Sequence, residues 1–481
     1  MSKRLAILPL TFVALTCWLL TSPAFANSQV RIVRLSDVEG TVQVDRNTGQ
    51  GFEKAIENMP ITAGMKLKTG EDGLAAVEFE DGSVVRATPN TTIEFPELSL
   101  RDSGEKVSTV DVERGTVYLN FREPKDNDFR LKFGDEELVP KEAVHFRVDV
   151  GDENAALAVF KGKVEVQGSS GEIEVGKNRT VSFDLATNQT TVAKEIEPGS
   201  YDEWDKQQEQ YQDRYLASNS YSAYSPYAYG ASDLNYYGNF FDLPGYGMVW
   251  QPYFVGAGWD PFMNGAWMWY PGYGYTWVSP YPWGWTPYHY GSWIFSPGYG
   301  WVWEPGGVWT GWNTNPRVVN PPARFTPPRP PTAPGRSTVV VNRGPKLPGG
   351  GPARKVMIRS DSAGLGIPRG SIRNLGKLNE QVNKHGEAAV RVHPTPVNPA
   401  PVSSAGSFPH APRPATAPAT HATAPRPATA PASQASPRMS APAMPRSAPP
   451  PRMAEPPHMS APPHMSAPPA PVSHPAGTPP K

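Results

Sequence analysis

The segment at 74–87, LAAVEFEDGSVVRA, alternates apolar and polar residues on either side of an Asp-Gly pair. Successive side chains of an extended chain point to opposite sides, so Ala75, Val77 and Phe79 share one face. Asp81-Gly82 then reads as a two-residue turn, because both residue types tolerate the positive φ that such a turn needs. Working outward, Val144, Phe146, Val148 and Val150 point inward, and His145, Arg147 and Asp149 are expected to face solvent. Short apolar runs recur at Val38 to Val44, Val117 to Phe121, Leu157 to Phe160, Val164 to Val166 and Val181 to Leu185. The fold class is mainly β, and 27–195 reads as one module of many short strands.

The stretch VEGTVQV at 38–44, followed by AGMKLKTGEDGLAAVEFEDGSVVRATPNTTIEF at 63–95, resembles the FecR periplasmic domain family. The residues that carry the resemblance are Gly40, Ala63-Gly64, Thr69-Gly70, Asp81-Gly82-Ser83 and Pro89-Asn90. It implies a compact stack of short strands. The founding type is a sensor regulator of iron-dicitrate uptake, with a cytoplasmic anti-sigma segment ahead of a transmembrane helix. This sequence shows neither part, so the resemblance implies the exported β-domain and leaves signalling open.

Residues 198–218 read as one amphipathic helix. Ser200 and Glu203 form a capping box, and Tyr201, Trp204, Gln208, Tyr211 and Tyr215 fall on one face. Packing against a neighbouring module is favoured over a partner-binding ridge, which makes the helix a strut.

Beyond it, GAWMWYPGYGYTWV at 265–278 aligns with GSWIFSPGYGWVWE at 291–304, and a weaker copy, GNFFDLPGYGMVWQ, begins at Gly238. In the second copy Trp267 and Trp269 precede a Pro-Gly-Tyr-Gly loop, and Tyr275 and Trp277 follow it. That is a hairpin with its aromatics on a shared face, and 236–312 becomes a domain of two to three such hairpins. Ordering the chain requires most rings to be core. Only one or two rings per unit are left for a ligand, and the tip tyrosines Tyr273 and Tyr299 are the candidates for stacking on cell-wall glycan. The region also resembles the tryptophan-rich domain of unknown function found after FecR-like domains, which implies co-occurrence and no activity. Hairpin arms of about five residues are too short for the 9 to 11 of a membrane strand.

The 481 residues include 57 Pro and 44 Gly, far too many for one packed domain. Much of this lies in 313–481, a Pro-rich low-complexity tail with a short helix at 371–384 that uses Ser371 as cap and Ile372, Leu375, Leu378 and Val382 as its apolar face. The first 26 residues have Lys3 and Arg4, an apolar run from Leu5 to Leu20, and Pro23-Ala24-Phe25-Ala26. This is a secretory signal peptide cleaved between Ala26 and Asn27, leaving a periplasmic or secreted bacterial chain without a transmembrane helix. Cys17 lies inside it, so the mature chain has no thiol chemistry.

No Lys or Arg occurs between Arg214 and Arg317, which argues against nucleic acid as a partner. No nucleophile elbow, His-Glu-x-x-His helix or phosphate loop is found, so no catalytic residue is assigned. The histidines at 393, 410, 421, 458, 464 and 474 are too scattered for a metal site, and no cofactor is expected. His145 and His289 read as surface or packing residues. The expectation is a non-enzymatic envelope scaffold or interaction protein whose partner is cell-wall glycan or an envelope protein. The alternative is a FecR-like ligand sensor.

Overall fold

The computed structural model describes residues 31–122, 125–169, 171–216, 227–306, 317–332, 338–344 and 355–391. The signal-peptide cleavage at Ala26 and Asn27 and the scattered histidines from 393 onward lie outside the described residues. The first 17 strands, from Val33–Glu39 to Gln189–Ala193, join in one hydrogen-bonded network. Its hinge is the strand Lys106–Phe121. The first half of that strand pairs with Thr92–Leu100 and, in parallel, with Asn127–Phe133. Its second half pairs with Val84–Ala87 and Val144–Val150. Between the halves sits Gly115 at φ 98°, where a Cβ would lie 2.4 Å from Thr91 Oγ1. Only glycine fits there, and the strand bends to serve two layers.

The inward residues of both layers meet in one core. Ala75, Val77 and Phe79 join it, as do Val144, Phe146, Val148 and Val150. The Asp-Gly hairpin forms with a longer turn than expected: beyond the Glu78–Val84 pair the Phe79 amide donates to Ser83 O at 2.8 Å, leaving a three-residue loop at 80–82. The Asp81 side chain accepts from the Ser83 amide at 3.0 Å and its hydroxyl at 2.7 Å, so only Gly82 adopts positive φ. Side-chain bonds from an Asp to the residue two on favour this wider turn.

Helix α1, Asp202–Leu216, covers the face that the alternation assigned to solvent. His145 and Arg147 are therefore buried, each 7% exposed. Alternation identifies two faces but cannot say that a later helix will cover the polar one. The first turn of α1 is closed by Asp202, whose carboxylate accepts the Gly199 amide at 2.7 Å, in place of the expected Ser200 cap. Trp204, Asp205, Tyr211 and Gln212 form its buried face.

Helix α2, Ala231–Tyr237, leads into three hairpins: Gly238–Pro252, Asn264–Val278 and Ser292–Glu304. The first and third share a sheet through Trp250 and Trp303, and the short helix α3, Thr286–His289, precedes the third. Trp267 faces Trp277 edge-on at 5.3 Å between ring centroids, and Trp269 faces Tyr275 at 5.2 Å. The opposite face of the second hairpin, with Ala266, Met268, Tyr270 and Val278, joins the β-domain core.

The stretch read as tail departs from expectation after 316. Arg317–Val319 pairs in parallel with Ser292–Ser296, and Val339–Asn342 pairs antiparallel with Asn264–Tyr270. Both additions are short β-branched runs on hairpin edges, which offer unpaired backbone groups. Helix α4, Leu375–His385, is capped by the Asn374 side chain, which accepts from the Lys377 amide at 3.0 Å, whereas Ser371 donates to Pro368 O. Ile358, Ile367, Leu375, Leu378 and Val382 enter the aromatic core. The proline content of this stretch masks how much of 355–391 is apolar.

Candidate functional site

The densest polar constellation lies where the two folded parts meet. Arg34, on the first strand, is fully buried. It donates to Asn58 Oδ1 at 2.9 Å, Glu78 Oε2 at 3.1 Å, Asp233 Oδ2 at 2.5 Å and Pro282 O at 2.6 Å. Asp233, on α2, also accepts from Arg369 Nε at 2.7 Å, Arg369 Nη2 at 3.1 Å and the Tyr211 hydroxyl at 2.9 Å. Arg369 reaches Asp37 at 3.0 Å with its remaining nitrogen. Three parts of the chain, widely separated in sequence, are thus held by charge-assisted hydrogen bonds in a buried setting.

The electrostatics follow from that burial. Burial pushes the Asp233 carboxyl up, yet Arg369 and Arg34 outweigh it and hold the group below its usual value. Glu78 moves up, chiefly through burial, with Arg34 opposing. Burial also pushes Glu57 up to about 8, opposed by Arg369 and reinforced by Asp37 and Asp233. A second cluster fixes α1: Asp205 accepts from Arg86 at 2.8 Å and contacts His145 Nε2 at 2.6 Å. His145 Nδ1 lies 3.3 Å from Glu209. These groups are consumed in packing, and His289 packs at a tilt of 56° against Trp285 with centroids 4.4 Å apart. Among the described residues, no group of three or more His, Cys, Asp or Glu side chains is arranged to hold a metal ion.

The two tip tyrosines, equivalent in the repeat, sit differently. Tyr273 is half-buried against the β-domain core, because the second hairpin leans on that domain through the Tyr270 hydroxyl, which donates to Pro60 O at 3.1 Å. Tyr299 is 51% exposed, its ring stacked on Phe241 at 5.8 Å and 20°. Sequence reading missed Arg34, Asp233 and Arg369. The only signal was the cation-free run from 215 to 316: an acid inside it that becomes buried must find its arginine elsewhere. Asp260 obeys the same logic with Arg343 at 3.0 Å.

No helix among the described residues is long and apolar enough to cross a membrane. No curated protein matches the chain. Two crystal structures of a "putative anti-sigma factor" from Parabacteroides distasonis ATCC 8503 are similar to part of it, at 20% and 19% identity and a TM-score of 0.24 each. The match covers 27% of this chain and 59% of that protein, so the chain spans less than two thirds of its length. Residues 65–165 match the family described as FecR protein, and 231–320 match the family of unknown function DUF6600. The chain therefore carries a FecR domain followed by a DUF6600 domain.

Proposed function

We propose that this chain is a non-catalytic interaction module of the bacterial cell envelope, exported by its first 26 residues, with the FecR and DUF6600 domains acting as one scaffold. The observation that carries the reading is the Arg34–Asp233–Arg369 cluster, which joins the two domains through buried groups. A cluster of this kind fixes a relative arrangement, because removing one partner leaves uncompensated buried charge. The use of Trp250, Trp267, Trp283, Trp293 and Trp303 as core supports the same view. Amino-terminal sequencing of the protein from envelope material should find Asn27 first; a chain retaining residues 1–26 counts against export with cleavage.

The FecR domain favours a second reading, a regulatory or sensor role. Deleting the gene and profiling transcripts with and without ferric citrate separates the two. Increased detergent sensitivity of the envelope with an unchanged transcript profile fits the scaffold. A change confined to an iron-uptake regulon fits the sensor and removes the scaffold reading.

A further inference from the structure

Helix α4 does more than close the aromatic core. It stands beside the first and third hairpins, and the space between them is an open cleft of about 460 Å³. Tyr299 and Phe241 present one aromatic wall, while Asn239, Gln251, Asn379 and Glu380 supply polar groups around it. Gln251 Nε2 donates to Tyr299 O at 2.7 Å and Trp301 O at 3.0 Å, which fixes the tip loop that carries the tyrosine. Asn379 Oδ1 accepts the Phe254 amide at 2.7 Å, and its amide nitrogen has no hydrogen-bond partner among the described residues. Gly376 leaves the helix wall bare: a Cβ there would come only to 3.5 Å from the Tyr253 hydroxyl.

We propose that this cleft binds a neutral saccharide, with a pyranose ring lying on Tyr299 and its hydroxyls bonded by the amides and Glu380. The chemistry of the lining selects that class. Among the described residues no Lys or Arg lines the cleft, so none of them would compensate a phosphate or carboxylate ligand. A wholly apolar ligand would leave Asn239, Asn379 and Glu380 desolvated without partners. A hydroxyl-rich ring with an apolar face satisfies both the stacked aromatics and the amide and carboxylate groups. The site goes beyond the scaffold reading and does not depend on it.

The test uses the full mature chain, with chitotetraose and maltotetraose titrated by intrinsic fluorescence and purified peptidoglycan sacculi in co-sedimentation. Tyr299→Ala and Glu380→Ala both alter exposed side chains, so neither is expected to disturb folding. Saturable binding to at least one of the three probes, weakened about tenfold by Tyr299→Ala with an unchanged melting transition, supports the site; the factor corresponds to one stacking contact. Absence of binding to all three probes overturns it, as does binding that both variants leave unchanged. Retention of a lysine-bearing peptide in place of every saccharide assigns the cleft to peptide and also overturns it.

Discussion

Arg34 and Asp233 are 199 residues apart in sequence and 2.5 Å apart in the fold, with neither side chain more than 2% exposed. Asp233 is held by Arg34 from the first strand and, more strongly, by Arg369 from the C-terminal part of the described chain. Asp233→Ala should destabilise the protein by about 3–5 kcal/mol, since Arg34 and Arg369 then lose a buried partner. Urea denaturation at neutral pH checks this. A change below about 1 kcal/mol, the range of an exposed pair, would show that the junction is solvated.

Trp277 covers Gly265 so closely that a Cβ on the glycine would lie 2.1 Å from Cζ2 of the indole. The same relation joins Gly238 to Trp250, while at Gly291 a Cβ would meet the Glu304 carbonyl at 2.3 Å before the Trp303 indole at 2.7 Å. Gly265→Ala is expected to cost about 1–3 kcal/mol as the indole is displaced. Gly272→Ala at the hairpin tip meets nothing within 4 Å and should cost only the backbone strain of its φ of 81°, about 1–2 kcal/mol. Thermal melts of both variants check this; a Gly265→Ala loss below about 1 kcal/mol would mean that packing does not explain the repeated glycine.

The rings of the repeat divide into core and surface. Trp267→Ala and Trp293→Ala, at 1% and 0% exposure, should each lose about 3–5 kcal/mol. Tyr299→Ala should stay within about 0.5 kcal/mol of the parent. Chemical denaturation of the three variants checks the ranking, and a stable Trp293→Ala would contradict it.

Glu57 connects stability to pH. Its carboxyl binds a proton more tightly folded, at about 8, than at the ordinary value of 4.5. The stability it contributes is therefore complete below 4.5 and is lost as pH rises through about 8. Glu57→Gln keeps the shape and removes the titration, so its stability should fall less steeply than the parent's over that window. Parallel curves from a pH series of urea melts would exclude this source.

Residues 355–391 belong to the folded body through Ile358, Ile367, Leu375, Val382 and Arg369. A chain ending at Arg354 should melt below one ending at Arg391, with the exposed aromatic core measured by dye binding. Coincident melts would place this segment outside the cooperative unit.

Much of the architecture is local and was legible in the sequence. Period-two alternation placed Val77 and Val148 inward, and the repeated Pro-Gly-Tyr-Gly defined hairpins with cross-strand aromatics, because both depend on backbone geometry over a few residues. The apolar spacing of Leu375, Leu378 and Val382 likewise marked the helix face. The tertiary structure decided what covers each face. It buried His145 under α1, drew Val339–Asn342 and 355–391 out of a proline-rich stretch, and paired Asp233 with arginines from both ends of the described chain. It also separated Tyr273 from Tyr299, two residues with identical local sequence, by leaning one hairpin on the FecR domain and leaving the other open to solvent. Local pattern fixes which side chains share a face, but burial depends on which distant surface arrives there, and that follows from the packing of the whole chain.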